Sequence, residues 1–220
     1  MSEAFVFVDD LDAPILTNDD RHHLDRVLRL RAGAPITIAD GRGRSRPARF
    51  GPSLVVDGEI VEEPAPAVGL TVGCALAKGD KTEWAVQKLT ELGIDTIIPF
   101  MADRCIVRWE PTRVAHHTNR LRKVAREAAM QCRRPRLPEV ADLARFDELV
   151  TRPAVALADR GGATITAADT TILVGPEGGW SPRERSAAVK FVGLGAYVLR
   201  AETAAVAAGV LLASGPNRSS

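Results

Sequence analysis

The sequence predicts an α/β protein: a largely parallel sheet with helices on both faces, preceded by a smaller, mostly β unit. Three observations predict it. From Leu70 onward, short apolar runs alternate with segments of helical periodicity, as in strands joined by crossover helices. Across residues 62–70 the composition changes to Pro64, Pro66 and Gly69 among small residues, which reads as a linker. Late in the chain, Thr171–Val174 (TILV) runs into Gly175-Pro176-Glu177-Gly178-Gly179. A strand entering a glycine loop ahead of a helix start is the plan of an α/β ligand site.

Residues 5–8 read as a strand. Thr17 with Asp20 opens a helix expected to reach about Leu30, with Leu24, Val27 and Leu28 as its apolar face. Residues 35–40 are predicted as a strand, 41–43 as a turn and 53–62 as a hairpin around Asp57-Gly58. The linker sets the expected domains at 1–68 and 69–220.

In the second domain, residues 70–76 are an apolar strand. Asp80, with Glu83 three residues on, is expected to cap a helix that runs to Leu92, buries Trp84, Leu89 and Leu92, and stops at Gly93. Residues 95–100 follow as a strand. A long helix after Pro111 turns Val114, Leu121, Val124, Ala125 and Ala128 inward. Residues 146–150 close a short helix, and 154–158 and 171–174 are strands. Ser181, Pro182 and Glu184 form a capping box with proline at the first helical position. Residues 195–199 are predicted as the last strand, before an alanine-rich helix over 203–213.

The 220 residues are 45% hydrophobic and 26% charged, ordinary for a globular chain with a real core. No apolar run approaches the ~20 residues that span a bilayer, and residues 1–10 lack the basic start and apolar stretch of a signal peptide. Cys74, Cys105 and Cys132 are too few and too scattered for a disulfide framework or a zinc site, so no metal and a cytoplasmic location are expected.

The net charge of +1 conceals two basic clusters. Residues 21–49 carry eight arginines against two acids, and residues 113–136 carry eight Lys or Arg against one. Such clusters fit a polyanion partner or solvated helix faces equally well.

A second loop of interest spans residues 194–204, LGAYVLRAETA, where Arg200, Glu202 and Thr203 stand at a helix start. Unpaired N–H groups at such a start favour polar or anionic ligand groups. There is no G-x-G-x-x-G and no Walker A motif, which disfavours a nucleotide-dependent enzyme of those kinds.

LVGPEGGWSPRE (residues 173–184) and LGAYVLRAETA resemble the two signature loops of the RsmE family of 16S ribosomal RNA uridine-N3 methyltransferases, in the SPOUT superfamily. HHLDRVLRLRAG (22–33), ALAKGDKTEWAVQKLTELGI (75–94), Asp103-Arg104-Cys105 and AREAAMQCRR (125–134) extend the resemblance, in order, over nearly the whole chain. It implies a PUA-like N-terminal β-barrel domain that binds RNA, a SPOUT domain with a C-terminal trefoil knot, a homodimer, and S-adenosylmethionine as cofactor. Leu173, Val174, Gly175, Pro176, Glu177 and Gly178 would line one side of the cofactor site. Leu194, Gly195, Val198, Leu199, Arg200 and Thr203 would line the other. Gly175→Val is then expected to abolish cofactor binding and leave the chain folded. The sequence departs from the family at Tyr197, where many members carry a basic residue.

Methylation of uridine N3 requires an unpaired base, loss of the N3 proton and stabilisation of the developing anion. Arg200 and Glu202 are the candidate catalytic residues, with Glu177 as a loop-ordering group. Arg21, His22, Arg26 and Arg29 are the candidate RNA contacts of the small domain. Lys78, Lys81, Arg104, Arg126 and Arg133 are those of the larger one, expected to act within the small ribosomal subunit. A related enzyme acting on another rRNA or tRNA position, and a non-catalytic assembly factor, are the alternatives.

Overall fold

The computed structural model describes residues 4–215. Their contacts divide into two compact units, one ending at Ala65 but regaining Arg126–Leu137, the other made of the remainder. The linker lies near the first division, whereas no linker marks the return of Arg126–Leu137.

In the first unit, β1 (Ala4–Phe7) leads to α1 (Asn18–His22), which continues through His23–Val27 as a π-helical turn. β2 (Pro35–Ala39), β3 (Arg44–Arg49), β4 (Val55–Val56) and β5 (Val61–Glu62) follow. β1 pairs parallel with β2, β2 antiparallel with β3, and β4 and β5 both lie antiparallel on the far edge of β3. This path is mixed and open, so these pairings do not form the closed barrel implied by the resemblance. Nor do residues 53–62 pair as a hairpin. β4 and β5 part opposite Pro47, whose carbonyl accepts Asp57 N but which has no N–H to give on that edge.

β1 is covered on both faces. Val6 joins Leu24, Ile36 and Ile38 on one side, while Phe5 and Phe7 face Ala129 and Leu137 on the other. Thr17 caps α1 as the sequence predicts, accepting from Asp20 N at 3.1 Å. Of the predicted apolar face only Leu24 is buried, and Val27 is 61% exposed. The change to π-helical spacing after His22 rotates the later residues off that face.

The buried carboxylate of Asp20 receives both terminal nitrogens of Arg126, at 2.8 and 2.7 Å. Burial pulls its pKa up, but hydrogen bonds from Arg126 and Thr17 outweigh this and hold it below the ordinary value. Arg126 also lies over the Phe7 ring and donates to Phe7 O. Arg126, expected to meet RNA, is thus engaged in a structural ion pair.

The second unit contains β6 (Thr71–Ala75), α2 (Lys81–Glu91), β7 (Thr96–Met101) and most of α3 (Val114–Cys132). After that helix come β8 (Glu139–Val140), β9 (Ala144–Arg145), α4 (Phe146–Val150), β10 (Val155–Ala163), β11 (Thr171–Val174), α5 (Pro182–Ala187), β12 (Phe191–Val192) and α6 (Ala201–Ala213). The sheet is parallel throughout, in the order β12-β10-β11-β6-β7-β8, with β9 also on β7. One face packs Leu70, Val72 and Ile97 with residues of α2, α3 and α6. The other packs Phe100, Leu157 and Leu173 with Phe146 and Leu149 of α4.

Gly209 lets α6 approach α2, since a Cβ there would sit 2.7 Å from Leu89 Cδ2. Asp80 precedes α2 without a side-chain cap, and Glu83 pairs with Arg120 instead of closing a capping box. Trp84 is 42% exposed rather than buried, because Ala85, Val86 and Leu89 hold the inner face. The predicted strand at 195–199 is an irregular loop, and the sheet ends at Phe191–Val192, two residues that pair with β10.

Arg126→Met leaves the Asp20 carboxylate buried without its partner and should cost about 3 kcal/mol in urea unfolding. The double variant with Asp20→Asn should recover part of that loss, because the uncompensated charge is gone.

Candidate active site

β11 ends at Val174, and its apolar residues are sheet core: Leu173 is fully buried beneath β6, where a Cβ on Gly73 would meet it at 2.5 Å. Gly175–Gly179 then turns away from the carboxyl end of the strand. Trp180 fixes the far end of this loop. Its ring stacks on Phe100 at 6.2 Å and tilts against Phe146, and Nε1 donates to Ala158 O at 2.9 Å.

Ser181 and Glu184 complete the predicted capping box. The Ser181 hydroxyl accepts from Glu184 N, and Glu184 Oε2 accepts from Ser181 N. Glu184 has no solvent exposure, and its other oxygen accepts Asp103 N at 2.8 Å. Asp103 in turn accepts from Ser181 Oγ and from Arg183 Nε and Nη2, while Arg104 donates to Gly178 O. The turn after β7 therefore clamps the glycine loop from one side.

On the other side, Lys81 lies 2.9 Å from Glu177 and 3.6 Å from Glu202, so one ammonium ties the glycine loop to the first turn of α6. Glu202 Oε2 is buried and accepts no hydrogen bond. Lys81, expected to meet RNA, is engaged within the site.

Between the glycine loop and residues 194–204 lies a cavity of about 200 Å³. Of the predicted cofactor residues, Val174, Gly175, Pro176, Glu177, Leu194, Gly195, Val198 and Leu199 line it. Leu173 is core, Gly178 packs on Arg104, and Arg200 and Thr203 are exposed at the start of α6 without lining it. The structure adds Ala158, Asp159 and Arg160 from β10 as a third wall, with Trp180, Tyr197, Ala201 and Ala204.

The third wall had a usable signal. β10 neighbours β11 in a parallel sheet, and ligands collect at the carboxyl ends of adjacent strands. Gly175 has a role other than expected: a Cβ there meets the Trp180 ring at 3.0 Å, so Gly175→Val disturbs the packing under the loop as well as the cavity.

The remaining RNA candidates are dispersed. Arg21 donates to Gly51 O, Arg26 pairs weakly with Asp25, and Arg29 has a φ of 53° on the exposed turn after α1. His22, Lys78, Arg104 and Arg133 are exposed.

The Arg183 guanidinium, then the Ser181 hydroxyl, hold the Asp103 carboxyl down from 3.8 to about 2. A depressed carboxylate pKa stabilises fully above about pH 4 and is lost as pH falls through about 2. Thermal melts from pH 5 to pH 2 should therefore show wild type losing stability more steeply than Asp103→Asn. Parallel curves would mean that the clamp does not rest on an ionised Asp103.

A family described as an RNA methyltransferase domain matches residues 63–213. Curated relatives named ribosomal RNA small subunit methyltransferase E include one from Mycobacterium bovis, 31% identical over 88% of this chain and 83% of its own. One from Bacillus subtilis is 28% identical over 86% and 85%. Among solved structures, ribosomal RNA small subunit methyltransferase E from Neisseria gonorrhoeae, bound to S-adenosyl methionine, superposes with a TM-score of 0.76 at 26% identity, covering 94% of this chain and 95% of that one. A Legionella pneumophila chain solved with the cofactor SAM gives 0.84 at 25% identity, covering 98% and 99%. With a SPOUT-like parallel sheet, both signature loops around one cavity and relatives of this similarity over most of its length, the chain belongs to the ribosomal RNA small subunit methyltransferase E family.

Proposed function

We propose that this chain is an S-adenosylmethionine-dependent methyltransferase that methylates N3 of a uridine in small-subunit ribosomal RNA. The observation that carries this reading is the cavity between the two signature loops at the carboxyl end of β11, beside Ala158–Arg160 of β10. Its lining suits the cofactor. Val174, Leu194, Leu199 and Ala204 offer an apolar shelf for a flat heterocycle, and loop amides and carbonyls stand ready to read its edge. S-adenosylmethionine, when bound, supplies an activated methyl group.

The chain's own residues do the rest. Lys81 holds Glu177 and Glu202 and so keeps both loops at one spacing. Arg200, exposed at the N-cap of α6, is the candidate group to stabilise negative charge developing on a uracil oxygen as the N3 proton leaves. Glu202 is the candidate acceptor of that proton, a role that competes with its ion pair to Lys81.

The first unit, read as a PUA-like RNA-binding module, would grip RNA through Arg21, His22, Arg26 and Arg29. Arg133 would join them in the first unit, and in the second Lys78 and Arg104 would touch phosphates. Val210 and Leu211, apolar and about 40% exposed on α6, support a homodimer through that helix. The trefoil knot is proposed for the C-terminal segment, where residues 194–204 run beside the glycine loop before α6 returns against β6. The activity belongs in the cytoplasm, where ribosomal subunits are.

Small subunits lacking the modification, incubated with methyl-labelled S-adenosylmethionine, should yield labelled N3-methyluridine after nuclease digestion and mass spectrometry. Label in another nucleoside would move the target. No transfer from a bound cofactor would favour an assembly factor.

Arg26→Ala with Arg29→Ala should weaken RNA binding. The slope of log affinity against log salt should fall by up to about 2, since each arginine that no longer neutralises a phosphate lowers it by roughly one. Cofactor affinity should not change. An unaltered slope would make these arginines a solvated face.

A further inference from the structure

The rim of the cavity carries an arrangement that cofactor binding does not explain. Tyr197 is 85% exposed and Val198 79% exposed, yet both line the cavity. An aromatic ring held so far into solvent is neither sheet core nor the inner wall of a site that buries its ligand. The loop that carries it has no regular structure and passes through Gly195 at a φ of 152°, a conformation that favours glycine.

Across the cavity, Asp159 is neutralised by Arg185, which leaves Arg160 exposed with no acid against it among the described residues. Three residues beyond Tyr197, Arg200 is likewise exposed and unpaired among the described residues. An exposed aromatic flanked by two unpaired guanidinium groups is the chemistry that receives an unstacked base and its phosphates.

We propose that Tyr197 is the platform on which the target base stacks, with Arg160 holding the RNA backbone beside it. The inference rests on the reading of this site as an RNA methyltransferase. A base whose N3 is to react must leave its helix or loop stack, which costs free energy. Stacking on Tyr197 offsets that cost beside the cavity. Every base has a π-face, so Tyr197 contributes positioning and affinity, while the identity of the base is read by hydrogen bonds made elsewhere.

The chain has a single tyrosine. Growth on 3-fluorotyrosine therefore places one fluorine reporter at position 197. Its resonance should move when a uridine-containing single-stranded oligonucleotide is added to the S-adenosylhomocysteine complex. An oligonucleotide of equal length that is abasic at the target should not reproduce the shift. A resonance that ignores the RNA, or that responds equally to the abasic strand, overturns the proposal.

Steady-state kinetics give the second measurement. Tyr197→Ala should raise KM for RNA by about tenfold to a hundredfold, the usual effect of removing a stacked aromatic. Tyr197→Phe should restore it, and in Tyr197→Ala cofactor affinity by calorimetry should fall by far less than KM for RNA rises, since the 85% exposed ring only borders the cavity. A parallel loss of cofactor affinity would make Tyr197 part of the cofactor wall. Loss of RNA binding together with loss of a dimer in sedimentation would make the exposed loop a subunit contact. Either result overturns the proposal. If wild type transfers no methyl to RNA, the functional reading itself fails, and that failure is separate from any result at position 197.

Discussion

A carboxylate with no access to water must have its oxygens satisfied inside the protein, and Glu184 is such a group. One oxygen accepts the amide at its own helix start, and the other accepts the amide of Asp103 from the turn after β7. Losing either partner would leave a buried charge with an empty lone pair, which is costly. This requirement fixes α5 against that turn. Once they are fixed, Ser181 and Arg183 converge on Asp103, and Arg104 reaches Gly178. The glycine loop is therefore held from outside as well as by its own Gly179 N–Pro176 O hydrogen bond, and it stays free of bulk where a ligand would lie.

The opposite wall is built on a different principle. Residues 194–200 form no regular element, and Lys81 supplies the link by bridging Glu177 to Glu202. Trp180 closes the floor through its stack on Phe100 and its hydrogen bond to Ala158. A loop clamped by side-chain hydrogen bonds on one side and an irregular, more exposed one on the other, tied together by Lys81, give a cavity with two differently built walls.

Much of this was legible in the sequence where the signal is local. The strand Thr171–Val174 and the Ser181–Glu184 box are set by neighbouring residues, and both form as predicted. The helix after Pro111 also buries Leu121, Ala125 and Ala128. Failures cluster where a tertiary partner decides. Asp80 and Glu83 have the spacing of a cap, but Arg120 claims Glu83. Residues 195–199 have strand composition but no neighbouring strand to pair with. Arg126 sits in a basic cluster, yet its charge answers Asp20, far away in sequence. Ala158–Arg160 carry no motif at all, and only strand order brings them to the cavity.

The first unit is not contiguous, since its Phe5 and Phe7 are covered by Ala129 and Leu137, and its Asp20 by Arg126. A ribosome reading from the amino end has released the whole first sheet long before it makes the residues that cover it. The usual order, in which the leading domain folds while the next is still being made, is therefore closed to this chain. Until Leu137 has emerged, the nascent protein carries an uncovered aromatic face and an unanswered carboxylate, and the first unit cannot be completed.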